Sequence, residues 1–196
     1  MENLYRIAIA IIYFTQFFGI IYFNKKSNVD NVIYSQQEPK YLLFIRGPWV
    51  ILGITIIIVY IFNPYYLSFA NLYLLSSLRI FGILFGIVID ILLFWTFISL
   101  GKNISTSLSI SKTHKLITIG PYKYVRHPMY ILGILLFASL ILIASNWIIG
   151  IWGICFQLFV IIVRTPLEEK MLENYFGNEF EEYKLRTGLI IPKIIK

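Results

Sequence analysis

The chain has little of what a soluble enzyme is assembled from. Only 14% of its 196 residues are charged, two are histidines and one, Cys155, is a cysteine. An ordinary globular domain carries about 25% charged residues. A single thiol cannot close an internal disulfide, so a disulfide scaffold is excluded. There is no Gly-x-Gly-x-x-Gly and no phosphate-binding loop, which excludes a Rossmann dinucleotide site and a nucleoside-triphosphate cradle. A Gly-x-Ser-x-Gly nucleophile elbow is absent too. His114 and His127 lie thirteen residues apart with no cysteine between them, a spacing that suits no metal. What the chain has instead is 58% apolar and 17% aromatic residues. A soluble fold of this length cannot hide that much apolar surface, and a disordered chain would not carry it. The composition predicts a small integral membrane protein of one domain, residues 1–196.

A helix crosses the hydrocarbon core with about 20 apolar residues. Leu4 to Phe23 is the first such run. Gly47 to Phe62 is the second, with Tyr41 to Ile45 able to extend it past Arg46. Leu78 to Leu100 is the third, interrupted by Asp90. Met129 to Val163 is too long for one span, and Ser145-Asn146-Trp147 near its middle reads as a turn, so it predicts a helical hairpin. The expected fold is therefore all-α, with about five transmembrane helices, the last two a hairpin. The first run reads as a span and not as a cleavable signal. It has no basic n-region, and Gln16 and aromatic residues stand where small cleavage-site residues would be.

Charge gives the orientation. Fourteen of the 17 Lys and Arg residues fall in three segments: between spans one and two, between spans three and four, and after span five. Alternation puts all three on one side. Residues 63–77 and the turn at Asn146 carry no Lys or Arg. The positive-inside rule makes the basic side cytoplasmic. The net charge of +7 is thereby assigned to topology, and no nucleic-acid partner is expected. The membrane would be the plasma membrane of a prokaryote or the endoplasmic reticulum of a eukaryote.

Polar residues collect in two of the basic segments, 101–128 and 164–196. In the first, Gly120-Pro121 predicts a turn, and Pro128 can open the fourth helix at its first turn with His127 at the N-cap. Arg126 and His127 read equally well as anchors in the headgroup layer or as functional groups. In the second, Thr165 can cap a new helix with Pro166 in its first turn and Glu168 closing a capping box. Leu167, Met171, Leu172, Tyr175 and Phe176 then share one helical face, and Glu169, Lys170 and Glu173 the other. This predicts an amphipathic cytosolic helix ending near Gly177. Asp90 is the one acid inside a span, where a carboxylate is a functional candidate by default. Gly82 and Gly86 beside it favour close helix packing, so Asp90 reads as a structural contact between helices.

Taken together, these segments resemble the isoprenylcysteine carboxyl methyltransferase family, whose wider superfamily includes phospholipid N-methyltransferases. The resemblance is carried by His114-Lys115-Leu116-Ile117, Gly120-Pro121-Tyr122 and Arg126-His127-Pro128-Met129-Tyr130. After the hairpin it continues with Arg164, Glu168-Glu169, Leu172, Phe176-Gly177, Phe180, Tyr183 and Ile191-Pro192. It covers roughly residues 100–192. Two departures stand out: Phe180 where the family often has Tyr, and Met129 where the carboxyl methyltransferases often have Ser.

The resemblance implies an S-adenosylmethionine-dependent multispan membrane methyltransferase with a cytosolic cofactor site. Cofactor contacts would fall on His114, Lys115, Leu116, Ile117, Tyr122, His127, Pro128, Met129, Tyr130 and Glu168. Arg164 would bind the acceptor, and Arg164 and Glu168 would be the catalytic pair. Residues 78–196 would form the methyltransferase core, with residues 1–77 supplying two spans and their loops. The acceptor would be lipophilic or prenylated and would reach the site from the membrane lipid. Met129 shifts weight away from prenylcysteine itself. Phospholipid or amine N-methylation, a membrane reductase using a nicotinamide cofactor, and a non-catalytic scaffold are the competing readings. Tyr122, His127 and Glu168 are expected to share one hollow.

Overall fold

The computed structural model describes residues 1–26, 32–35, 40–104, 108–111 and 114–193. Of the basic residues counted above, Lys112 and Lys196 lie outside them. The helices are α1 (Glu2–Lys26), α2 (Lys40–Phe62), α3 (Ser76–Leu100), α4 (Pro128–Ala144), α5 (Ile148–Phe176) and α6 (Asn178–Arg186). Among the described residues, α1, α2, α3 and α5 are long and apolar enough to cross a membrane, and α4 is a shorter apolar helix. With 17 residues, α4 is about 25 Å long. The helix ends suit their dipoles in α1, where Glu2 lies in the first turn and Lys25 and Lys26 in the last.

Helices α3 and α4 pack closely. A Cβ on Gly82 would come within 2.8 Å of Leu142 Cβ, and one on Gly86 within 2.9 Å of Ser139 Oγ. The Gly-x-x-x-Gly pair thus lets two backbones approach as the sequence predicted. Tyr5, Ile9 and Ile12 of α1, Ile89 and Leu93 of α3, Leu136, Leu140 and Ile143 of α4 and Ile149 and Trp152 of α5 close one buried core. Asp90 points to α1, where Thr15 Oγ1 donates to it at 3.1 Å and Gln16 Nε2 donates to its other oxygen. The carboxylate is a helix-to-helix contact.

The hairpin tip is tied down. Ser145 takes a left-handed conformation, φ 54°. Fully buried Asn146 donates to the Leu67 carbonyl at 2.7 Å and to Asn71 Oδ1 at 3.0 Å. At the same end Arg79 donates to the Ile143 carbonyl at 2.9 Å, grips the Glu2 carboxylate with both terminal nitrogens, and lies 3.6 Å over the Tyr5 ring.

Two features differ from the sequence reading. The chain is not purely helical: β1 (Val32–Ser35) pairs antiparallel with β2 (Ser109–Ser111). Strands of four and three residues are too short to show a period, and their partners lie far apart in sequence. Second, no helix starts at Thr165. Helix α5 runs unbroken from Ile148 to Phe176 with Pro166 inside it. Proline removes one donor from the ladder, and packing compensates: Leu167 and Met171 pack against Leu108 and Ile110 of the β2 segment. The expected amphipathic stripe therefore forms the last turns of α5, which end at Gly177, φ +55°. A separate helix, α6, follows.

The α3–α4 contact makes a prediction. Gly82→Leu should lower stability by about 1–3 kcal/mol through overpacking. Gly47→Ala, where a Cβ meets nothing within 4 Å, should be close to neutral. Thermal unfolding of both variants in detergent measures the difference.

Candidate active site

A cavity of about 440 Å³ lies at the end of the helices opposite Arg79 and the Asn146 turn. Helices α1 and α3 reach it with their C-terminal ends (Ile20, Leu100), α2 and α4 with their N-terminal ends (Arg46, Val50, Met129, Tyr130), and α5 with its distal half (Phe156 to Leu172). The segment His114 to Ile117 and residues Phe180 and Tyr183 of α6 complete the lining. Of the residues read from the sequence, His114, Lys115, Leu116, Ile117, Tyr122, His127, Met129, Tyr130, Arg164 and Glu168 all line this one cavity. Tyr122, His127 and Glu168 share a hollow, as the sequence account required. Pro128 does not line it. Pro128 is buried at the first position of α4, where its fixed φ suits the start of the helix.

Local geometry explains each placement. Gly120 has φ +60° and starts a short 3-10 turn over Gly120–Lys123 that buries Pro121 and Tyr122. The Tyr183 hydroxyl donates to the Tyr122 carbonyl at 2.7 Å. Burial pushes the Tyr122 hydroxyl well above its ordinary pKa, and the Glu168 charge adds to this. His127 caps α4 and its ring stacks on Tyr130, with centroids 5.5 Å apart and planes 9° apart. The Tyr130 hydroxyl donates to Glu168 Oε2 at 2.9 Å. His127 Nδ1 lies 3.9 Å from the same oxygen.

Three groups behave differently from their sequence reading. Arg126 and His127 are not headgroup anchors: their side chains are only 10% and 5% exposed. Glu169 does not face outward. It accepts from Arg126 Nε at 2.6 Å, and its Oε1 is 3.3 Å from His127 Nε2. A buried guanidinium requires an anion, and this requirement turns Glu169 inward. Arg126 Nη1 also donates to the Thr187 carbonyl at 2.7 Å, while its backbone N–H and that of His127 donate to the carbonyls of Gly188 and Leu189. Arg46 also lines the cavity, and its place as an isolated cation in an apolar run is the sequence signal that marks it. The Arg126–Glu169 pair left no signal, because 43 residues separate its members.

The segment that builds the site matches a known family. Residues 80–174 fit the model of the isoprenylcysteine carboxyl methyltransferase (ICMT) family. The match covers just under half of the chain. It runs from α3 into the last turns of α5, so α1, α2 and α6 lie outside it. Methanethiol S-methyltransferase 1 of Bradyrhizobium diazoefficiens is 35% identical over 72 residues, 36% of this chain and 24% of that protein. Protein-S-isoprenylcysteine O-methyltransferase of Schizosaccharomyces pombe is 31% identical over 90 residues, 43% of this chain and 36% of that protein. The chain therefore spans between a quarter and just over a third of the length of these curated relatives. The solved structure of a eukaryotic intramembrane Ras methyltransferase, ICMT, aligns with a TM-score of 0.64 over 99% of this chain and 68% of that one, at 21% identity. The chain has the ICMT membrane fold, with several apolar helices.

Two predictions arise from the site. Glu169→Gln should destabilise the protein by about 2–4 kcal/mol, because it leaves Arg126 buried without its counter-charge. Limited proteolysis should then cut the released segment after α6 first. The second concerns pH. Burial lowers the His114 pKa from its ordinary 6.5, opposed by the Glu168 charge. The unfolded chain takes up a proton near 6.5 that the folded chain refuses, so stability falls as pH falls below about 6.5. The unfolding midpoint of the wild type should drop between about pH 7 and pH 5.5 more steeply than that of His114→Gln.

Proposed function

We propose that this protein is an S-adenosylmethionine-dependent integral membrane methyltransferase acting on a lipophilic acceptor, with carboxyl O-methylation as the leading reaction. The observation that carries this reading is the convergence of His114–Ile117, the start of α4, and Arg164 and Glu168 of α5 on one cavity. In this reading α4 is the fifth span, the cavity opens to the cytosol because the basic segments surround it, and residues 78–196 form the core. Residues 1–77 complete the walls.

The residues present suit the donor. Bound S-adenosylmethionine supplies an electrophilic methyl on a sulfonium, alongside an ammonium, a carboxylate and an adenine. Glu168, 30% exposed at its side chain and facing the cavity, offers a carboxylate to the ammonium or sulfonium. Tyr130 holds that carboxylate in place. The stacked His127–Tyr130 pair and Tyr122 present flat faces to an adenine or a cation. Leu116, Ile117 and Met129 exclude water. Arg164 presents a planar fork to an acceptor carboxylate. A carboxylate acceptor needs no general base, so the residues chiefly align the partners, a task worth about 7–11 kcal/mol when done well.

The match to a methanethiol S-methyltransferase favours a second reading, in which the acceptor is a thiol. Calorimetry on the purified protein in detergent tests the first reading. S-Adenosylmethionine should release measurable heat, and Glu168→Ala and His127→Ala should each weaken binding about 10-fold or more. No heat at millimolar donor refutes it. Radiolabelled methyl recovered in base-labile esters supports O-methylation. Label in headgroup amines supports N-methylation instead, label in a thioether supports the thiol reading, and no label in any lipid or thiol supports a scaffold.

A further inference from the structure

The cavity holds one guanidinium that lies outside the family match. Arg46 belongs to α2 and lines the same hollow as Arg164 and Glu168. It interrupts the apolar run from Tyr41 to Phe62, and a cation within a span is costly unless it faces a cavity or a partner. Arg46 is half-buried while Ile45 and Gly47 beside it are exposed. Arg46 of α2 and Arg164 of α5 thus bring guanidiniums from two helices to one cavity, which Tyr130 also lines. Arg126 is engaged with Glu169 and the Thr187 carbonyl. Glu168 is the single carboxylate among the described lining residues.

We propose that Arg46 and Arg164 together grip the head of a negatively charged acceptor, and that Arg46 sets a preference for anionic over amine acceptors. The assignment rests on the methyltransferase reading above. When an anionic oxygen or sulfur attacks, its lone pair forms the new bond to the methyl carbon as the carbon–sulfonium bond breaks. That bond's electron pair returns to the donor sulfur, both charges disappear and no proton has to leave. An amine gives the opposite balance. The same displacement converts a neutral nitrogen into an ammonium beside two guanidiniums, in a site where low dielectric strengthens repulsion. A carboxylate and a thiolate share the required charge, and two nearby cations favour the thiolate over the thiol.

The test uses three probes with one dodecyl tail and different heads: dodecanoate, dodecanethiol and dodecylamine. Calorimetry on the full chain in detergent, saturated with S-adenosylhomocysteine, reads binding without turnover. Dodecanoate and dodecanethiol should bind the wild type more tightly than dodecylamine. Arg46→Gln should weaken dodecanoate about 10- to 100-fold, and Arg46→Lys should restore part of the loss. S-Adenosylmethionine should bind Arg46→Gln as it binds the wild type. Unchanged dodecanoate binding in Arg46→Gln overturns the assignment, including the case where only thermal stability moves because Arg46 merely reaches to headgroups. A wild type that prefers the amine overturns it as well. Failure of the methyltransferase reading is seen separately, as absence of donor binding to the wild type before any acceptor is added.

Discussion

The site is assembled around one carboxylate. Glu169 receives Arg126 and His127 from the start of α4, and Arg126 in turn holds the strand of backbone after α6 through Thr187 and Gly188. Three segments distant in sequence are thus joined at a point where two charged side chains are largely withdrawn from water. A buried ion pair of this kind adds little net stability over apolar packing, but losing one partner is costly. Its value is positional. With Glu169 engaged on one side, the neighbouring Glu168 is presented to the cavity on the other, where Tyr130 holds it.

That arrangement depends on helices meeting at fixed depth. Close approach of α3 to α4 at Gly82 and Gly86 places the start of α4 beside the end of α3. The buried Asn146 turn fixes where α5 begins, and α5 then runs 29 residues without a break. Arg164 and Glu168 are one turn apart on this rod. Had the chain restarted at Thr165, the two groups would sit on separate elements. The packing of Leu167 and Met171 on Leu108 and Ile110 keeps them on one. In the proposed reaction, a rigid helix with a polar distal end would let an apolar acceptor and a water-soluble donor meet.

Much of this was legible in the sequence. The apolar runs marked α1, α2 and α3, the excess length of Met129–Val163 with a polar triplet marked the hairpin, and Gly120-Pro121 and Pro128 marked the turn and the helix start. Each signal is local, because a span needs only length and low polarity, and a turn needs only the right dihedral preference. Ten of the eleven residues carried over from the family pattern line the cavity; the exception, Pro128, acts on the backbone and not through its surface. The inward turn of Glu169 and the β1–β2 ribbon were not legible. Each depends on a partner more than 40 residues away, and local periodicity carries no trace of it.

By itself the sequence determined that the chain must enter a membrane, where its apolar runs lie, and where the turn between α4 and α5 falls. Hydrophobic length, charge asymmetry and backbone preference are properties of short stretches, so they can be read in one dimension. Only the tertiary structure decided which of two adjacent glutamates faces the cavity, that Pro166 lies within a helix, and that Arg46 and Arg164 line one cavity. Those outcomes follow from desolvation and close packing, which depend on what lies nearby in space and not on what lies next in the chain.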